Sequence, residues 1–250
     1  MSGHSKWSTI KRKKAKTDAQ KGRIFTRLIK DITIAARTGG GDESANPALR
    51  TAILAAKAAN MPAANIERAI KRGTGELPGV VYEPVTYEGY GPGGTALMIE
   101  VLTDNKNRTV ADIRHILSRH NGNLGETGCV SWLFEKKGVI QVDASKVSED
   151  ELLELVLESG ADDMKRDDDV FEIVTQPSAF ESVKAALKAH NIEYDSAELT
   201  MHPKNTVKVD GKDAEQLLKL MDELEEHDDV NNIYSNFDID TEVMRQLEEN

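Results

Sequence analysis

The residues able to do chemistry fall into a few patterns. Gly89-Tyr90-Gly91-Pro92-Gly93-Gly94 spells G-x-G-x-x-G, the turn that holds a dinucleotide pyrophosphate at a helix N-terminus. That chemistry needs a helix directly after the turn, whereas the strand-like residues 95–102 follow here. The motif reads as a tight hairpin. A kinase glycine loop does lie between strands, but no H-R-D or D-F-G follows. Six histidines (4, 115, 120, 190, 202 and 227) could ligate metal. Their spacing does not suit it: His115 and His120 fall on different helix faces, and H-E-x-x-H is absent. Asp167-Asp168-Asp169 lacks the alternation and glycine of a calcium loop. No serine sits in a G-x-S-x-G elbow, and Cys129, in a predicted strand, has nothing to lower its pKa. An enzyme reading would rest only on the glycine turn and the loop carrying Asp104, Arg108 and Arg114. The expectation is no enzyme, no cofactor, no metal and no small-molecule substrate.

Charge offers the other chemistry. The 250 residues sum to a formal charge of -11, which taken alone argues against a polyanion partner. The distribution argues the reverse. Residues 1–75 hold 16 Lys or Arg against five acids, net +11, and residues 1–30 hold ten against one. The centre of this excess is Lys11-Arg12-Lys13-Lys14-Ala15-Lys16. A screening length of about 8 Å at physiological salt keeps acids on another domain from cancelling such a patch. The run continues into a helical pattern in which Lys21, Arg23, Arg27 and Lys30 interleave with Ile24, Phe25, Leu28 and Ile29. A helix with one apolar stripe and a basic remainder suits phosphates; the plainer alternative for a lysine run is a solvated tail or a localisation signal. Twelve aromatics are few for a protein that stacks single-stranded bases. Lys137-Gly138 could open an RNP1 motif, but Val139 and Ile140 stand where aromatics are required. Phosphate-directed binding by shape and charge is what remains.

Mean hydropathy is -0.48, and no apolar run nears the 18 residues that a membrane span requires. One cysteine and no signal-peptide core suit a reducing, cytoplasmic setting. Apolar residues at 24, 25, 28, 29, 32 and 36 predict a helix over 18–37, closed by Gly39-Gly40-Gly41. Asn46-Pro47 caps a second through 59 and Pro62 opens a third to Gly73. After Gly79 the pattern becomes mixed. Strands are predicted at 85–87, 95–102 and 129–134, the last placing Val130, Trp132 and Phe134 on one face, with a helix at 109–120. Residues 138–204 then read β-α-β-β-α-β, complete in themselves. Strand 206–209, helix 214–226 and strand 230–235 close the chain.

The predicted fold class is α+β: an N-terminal three-helix domain plus two ferredoxin-like α/β domains, one inserted in the other. Boundaries are a basic arm over 1–17, helices over 18–78, a discontinuous domain over 79–137 with 205–240, and an insertion over 138–204.

Longer motifs carry a resemblance. Gly3-His4-Ser5-Lys6-Trp7, the lysine run, Asp18-Ala19 and Phe25 resemble the opening of the YebC/PmpR family. The match continues through Asn46-Pro47-x-Leu49-Arg50, Asn60-Met61-Pro62, Asn65-Ile66 and Arg68-Ala69-Ile70-Lys71, then Tyr87 to Gly94. Thr103-Asp104-Asn105, Asn107-Arg108-Thr109 and the glycines 122, 125 and 128 complete it, from residue 3 to about 237. Asn121-Gly122-Asn123 departs from the family's paired glycines, in a loop only. The resemblance implies the same helical and interrupted α/β arrangement, and a regulator that binds DNA and acts on transcription. Relatives, including the mitochondrial translational activator of cytochrome oxidase subunit one, act on translation at the ribosome. A motif that begins at Gly3 leaves no room for a mitochondrial presequence, so a bacterial cytoplasmic member is expected.

The expected partner is therefore nucleic acid, duplex DNA or ribosomal RNA, with the ribosome itself in the second case. The residues expected to hold it are Lys6, Lys11, Arg12, Lys13, Lys14, Lys16, Lys21, Arg23 and Arg27, with Lys71, Arg72 and Arg108 behind them. Trp7 is expected to pack rather than stack. Asn105 and Asn107 stand at a helix start, where capping is the expected role.

Overall fold

The computed structural model describes residues 18–167, 169–240 and 243. In chain order the elements are α1 (Asp18–Gly39), α2 (Pro47–Ala58), α3 (Ala63–Gly73), β1 (Glu83–Gly91), β2 (Thr95–Thr103), α4 (Lys106–Arg119), β3 (Asn123–Leu124) and β4 (Phe134–Asp143). There follow α5 (Glu149–Glu158), β5 (Ala161–Asp167), β6 (Val170–Thr175), α6 (Phe180–Ala189), β7 (Ser196–Pro203), β8 (Val207–Lys208), α7 (Gly211–Glu226), β9 (Val230–Ser235) and β10 (Phe237–Asp238). The architecture is α+β, helices first and sheets after. The described residues divide into two compact units, 18–129 with 211–233 and 130–210 with 234–240.

In the first unit the helical period does what it promises. Ile32, Ala35 and Ala36 of α1 meet Leu49, Ile53 and Ala56 of α2 and Ile66 and Ala69 of α3. Each fully buried aliphatic side chain contributes about 1.5–3 kcal/mol. Asn46 ties the first two helices together. Its side-chain oxygen accepts from Leu49 N at 3.1 Å, while its amide donates to the carbonyls of Ala35 and Gly40 at 2.8 Å each. Gly73 marks where α3 crosses α1. A Cβ there would overlap the Thr33 carbonyl and sit 2.7 Å from Ala36 Cβ, so the backbones approach closer than any side chain permits.

The same unit holds a four-stranded sheet ordered β3-β1-β2-β9. β1 and β2 pair antiparallel from Glu83↔Thr103 to Gly91↔Thr95, so the glycine motif is a hairpin with Pro92–Gly94 as its turn. Gly93 and Gly94 take φ of +69° and +74°, a region that disfavours side chains. α4 and α7 pack on each other and bury Ile113, Leu117, Leu217, Leu220 and Leu224. The second unit contains β4-α5-β5-β6-α6-β7 in sheet order β5-β6-β4-β7, every neighbour antiparallel. That is the ferredoxin-like arrangement. Its core joins Ile140, Val142, Phe171 and Ile173 to Leu152, Val156, Val183 and Leu187 of the two helices.

Two expected strands are corrected. Residues 129–134 do not form a strand; Ser131–Leu133 make one 3-10 turn, and only Phe134 enters β4. Val130 and Phe134 are buried but Trp132 is 63% exposed. Spacing of four satisfies a helical turn as well as alternation does, and Gly128 at φ +89° has already turned the chain. The strand at 206–209 exists only as Val207–Lys208. It pairs parallel with β10 instead of joining the four-stranded sheet.

Candidate nucleic-acid interface

The basic face of α1 is the first place to look for phosphate contacts. Positions 23, 27 and 30 recur at spacings of four and three, so they share one side of the helix. All three meet the end of α7. The last turn of α7 carries no basic residue, and the sequence there runs Glu225-Glu226-His227-Asp228-Asp229. A helix C-terminus leaves carbonyls unsatisfied and a partial negative charge that cations offset. α1 supplies those cations. Arg23 Nη1 lies 3.0 Å from Glu226 Oε1, and Arg27 donates to the Glu225 carbonyl. Lys30 Nζ donates to the carbonyls of Leu102 at 3.1 Å and Asp228 at 2.9 Å, and to Asp229 Oδ1 at 2.9 Å. Burial lowers the Arg27 pKa, and Glu225 opposes that shift by attraction.

Asp229 is the hub. Arg108 Nη2 reaches its Oδ2 at 2.7 Å and Thr109 Oγ1 at 2.8 Å, while Lys30 serves Oδ1. Burial alone would raise this carboxyl, but hydrogen bonds from Arg108, Lys30 and Thr109 hold it far below its usual 3.8. Asp31, one residue after Lys30, behaves oppositely: burial raises it from 3.8 to about 6 despite a 3.3 Å hydrogen bond from Asn231. Its native form takes up a proton more readily than its unfolded form. The Asp31 share of stability is therefore greatest below about pH 4 and is lost as pH rises through about 6. Asp31→Asn removes the buried charge and keeps an acceptor for Asn231. It is expected to be about 1–2 kcal/mol more stable than the parent at pH 7.5 and equal at pH 4. Thermal melts at the two pH values check this, and a constant difference at both would contradict it.

A groove of about 610 Å³ opens beside this hub. Asp104, Asp112, Glu226, Asp228 and Asp229 line it against Lys30 and Arg108. Carboxylates outnumber fixed cations there, so it repels a phosphate.

Of the residues expected to hold nucleic acid, Lys6, Lys11, Arg12, Lys13, Lys14 and Lys16 lie outside the described residues. Lys21 belongs to α1. Arg23, Arg27 and Arg108 are brought together with the 225–229 segment, Arg108 also holding Asp104 at 2.9 Å. Asn105 caps α4, accepting from Arg108 N at 3.1 Å. Lys71 pairs with Glu67 at 2.6 Å. Arg72 is exposed and makes no ion pair among the described residues, and Arg68, one turn earlier on α3, is like it. Sequence reasoning passed over Arg68, although its spacing of four from Arg72 places both on one face. It also missed Asp229, for which the signal was an acidic helix end with no cation of its own.

Three packed helices, a four-stranded antiparallel sheet and a ferredoxin-like sheet with two helices together define an α+β protein. Two family models divide such a chain between them, and both match. The TACO1/YebC protein N-terminal domain covers residues 5–76, and the TACO1/YebC second and third domain covers 82–237. The chain belongs to this family. It is 58% identical over its full length, and the full length of the other, to a probable transcriptional regulatory protein of Desulfotalea psychrophila. It is 59% identical over 99% of its length to one of Syntrophobacter fumaroxidans, all of which is covered. A crystal structure of a conserved hypothetical protein from Aquifex aeolicus superposes with a TM-score of 0.77 at 49% identity. That match covers 90% of this chain and 93% of the other.

Proposed function

We propose that this chain is a non-enzymatic regulator that grips nucleic acid by its phosphates, with duplex DNA and control of transcription as the leading reading. The observation that carries it is the net +11 of residues 1–75 in a chain of -11 overall. The relatives' names as probable transcriptional regulatory proteins support the regulatory role. Lys6, Lys11, Arg12, Lys13, Lys14, Lys16 and Lys21 carry the contact, with Arg72 on α3 in support. One observation favours a second reading, a translation factor on ribosomal RNA. Arg23, Arg27 and Lys30 are turned to the α7 end and so form no free cationic row for guanine edges in a major groove, and RNA helices are recognised by shape without one.

The test is a mobility-shift titration of the full chain on duplex DNA and on a ribosomal RNA fragment between 50 and 200 mM salt. If about six phosphates are contacted, log affinity falls against log salt with a slope of about -5 on DNA, a loss of about a thousandfold. Binding to neither polymer overturns the proposal. Preference for the RNA, with the protein sedimenting in ribosomal fractions, transfers it to the second reading.

A further inference from the structure

The acidic end of α7 does to α1 what a nucleic acid backbone would do. Along one face of α1 the engagement is graded. Lys30 and Asp229 are both about 7% exposed at the side chain, and that pair is part of the core. Arg27 comes next, bound to the Glu225 carbonyl. Among the described residues Arg23 is held by the Glu226 carboxylate, with side chains 37% and 65% exposed. An ion pair in that setting is weak and screened by salt, so a competing anion can displace it. Arg23 is also the member of the row nearest in sequence to Lys21 and the Lys11–Lys16 run.

We infer that the Glu225–Asp229 segment is an internal competitor for polyphosphate: Glu226 masks Arg23, and nucleic acid must displace that carboxylate to recruit the arginine. Lys30 stays with Asp229 throughout and keeps α1 in place while Arg23 exchanges partners. The inference rests on the phosphate-binding reading and adds its regulation. It also assigns Arg23 a conditional part, silent at rest and engaged once the arm has landed.

The experiment compares wild type, Glu226→Gln and Glu158→Gln by mobility shift on the same duplex between 50 and 200 mM salt. Glu158→Gln, on α5 in the second unit, makes the same change in net charge and leaves the α7 end unaltered. Glu226→Gln is expected to bind about three- to tenfold more tightly at 50 mM, with a salt slope steeper by about one. Glu158→Gln is expected to match wild type. A further variant, Arg23→Gln combined with Glu226→Gln, is expected to lose the gain. Glu226 is exposed, so its replacement leaves the fold intact, and circular dichroism verifies that. If Glu226→Gln matches Glu158→Gln while wild type binds with a steep slope, the competitor role is overturned and phosphate binding stands. If wild type does not bind, both fall together.

Discussion

Replacing Lys30 with methionine is expected to cost about 3 kcal/mol of folding stability, toward the lower end of what breaking a buried ion pair removes. The ammonium donates to two main-chain carbonyls and one carboxylate oxygen, and it sits 5.2 Å from the Tyr82 ring centre. Methionine fills much the same volume but donates nothing, so three acceptors lose a partner. Asp229 keeps Arg108 and Thr109, which is why the larger end of the range is not expected. The pH dependence follows from the carboxyl. Asp229 is held far below its usual 3.8 in the native state, so its share of stability is present above about pH 4 and lost as the pH falls below that. The gap between parent and variant is expected to narrow there. Urea denaturation followed by circular dichroism at pH 7.5 and pH 3.5 measures both. A loss under about 1 kcal/mol at pH 7.5 would show that Lys30 is solvated rather than structural.

That lysine also shows where local reading stops. The pattern at 24, 25, 28, 29, 32 and 36 located α1 and its buried stripe, because helical period and burial are both local. Asn46 was legible as a cap for the same reason: a side chain that accepts from an N–H three residues on needs no distant element. The β-α-β-β-α-β order from β4 to β7 was legible because its strands and helices are consecutive. Lys30 and Asp229 are 199 positions apart, and nothing near either announces the other. Reading Lys30 as one more surface cation therefore placed a core residue in a basic stripe. The strand expected at 129–134 failed differently. Val130 and Phe134 are buried as expected, but a turn achieves that burial and sends Trp132 outward. Period two and spacing four cannot be told apart over five residues. Residues 206–209 failed through pairing: a short apolar stretch identifies an extended segment and leaves its sheet unspecified.

Changing Lys11, Arg12, Lys13, Lys14 and Lys16 together to alanine is expected to have the largest effect on binding. Each phosphate contact releases close to one condensed counterion, so the gain per contact grows as salt falls. Losing five of about six contacts takes the slope on duplex DNA from about -5 to about -1, with an affinity loss of about a hundred-thousandfold at 50 mM salt. The two lines must also converge near 1 M, where counterion release no longer contributes. This intersection separates phosphate contact from the alternatives. A solvated tail would leave slope and affinity unchanged. A structural role for the run would lower affinity through loss of fold, which circular dichroism would report. Arg72→Ala, on α3, completes the comparison: a slope shallower by about one assigns Arg72 to the same backbone. Were the arm variant's line parallel to the wild-type line, the positive charge of residues 11–16 would not be what meets the phosphates. The grip would then have to come from exposed cations such as Arg68 and Arg72.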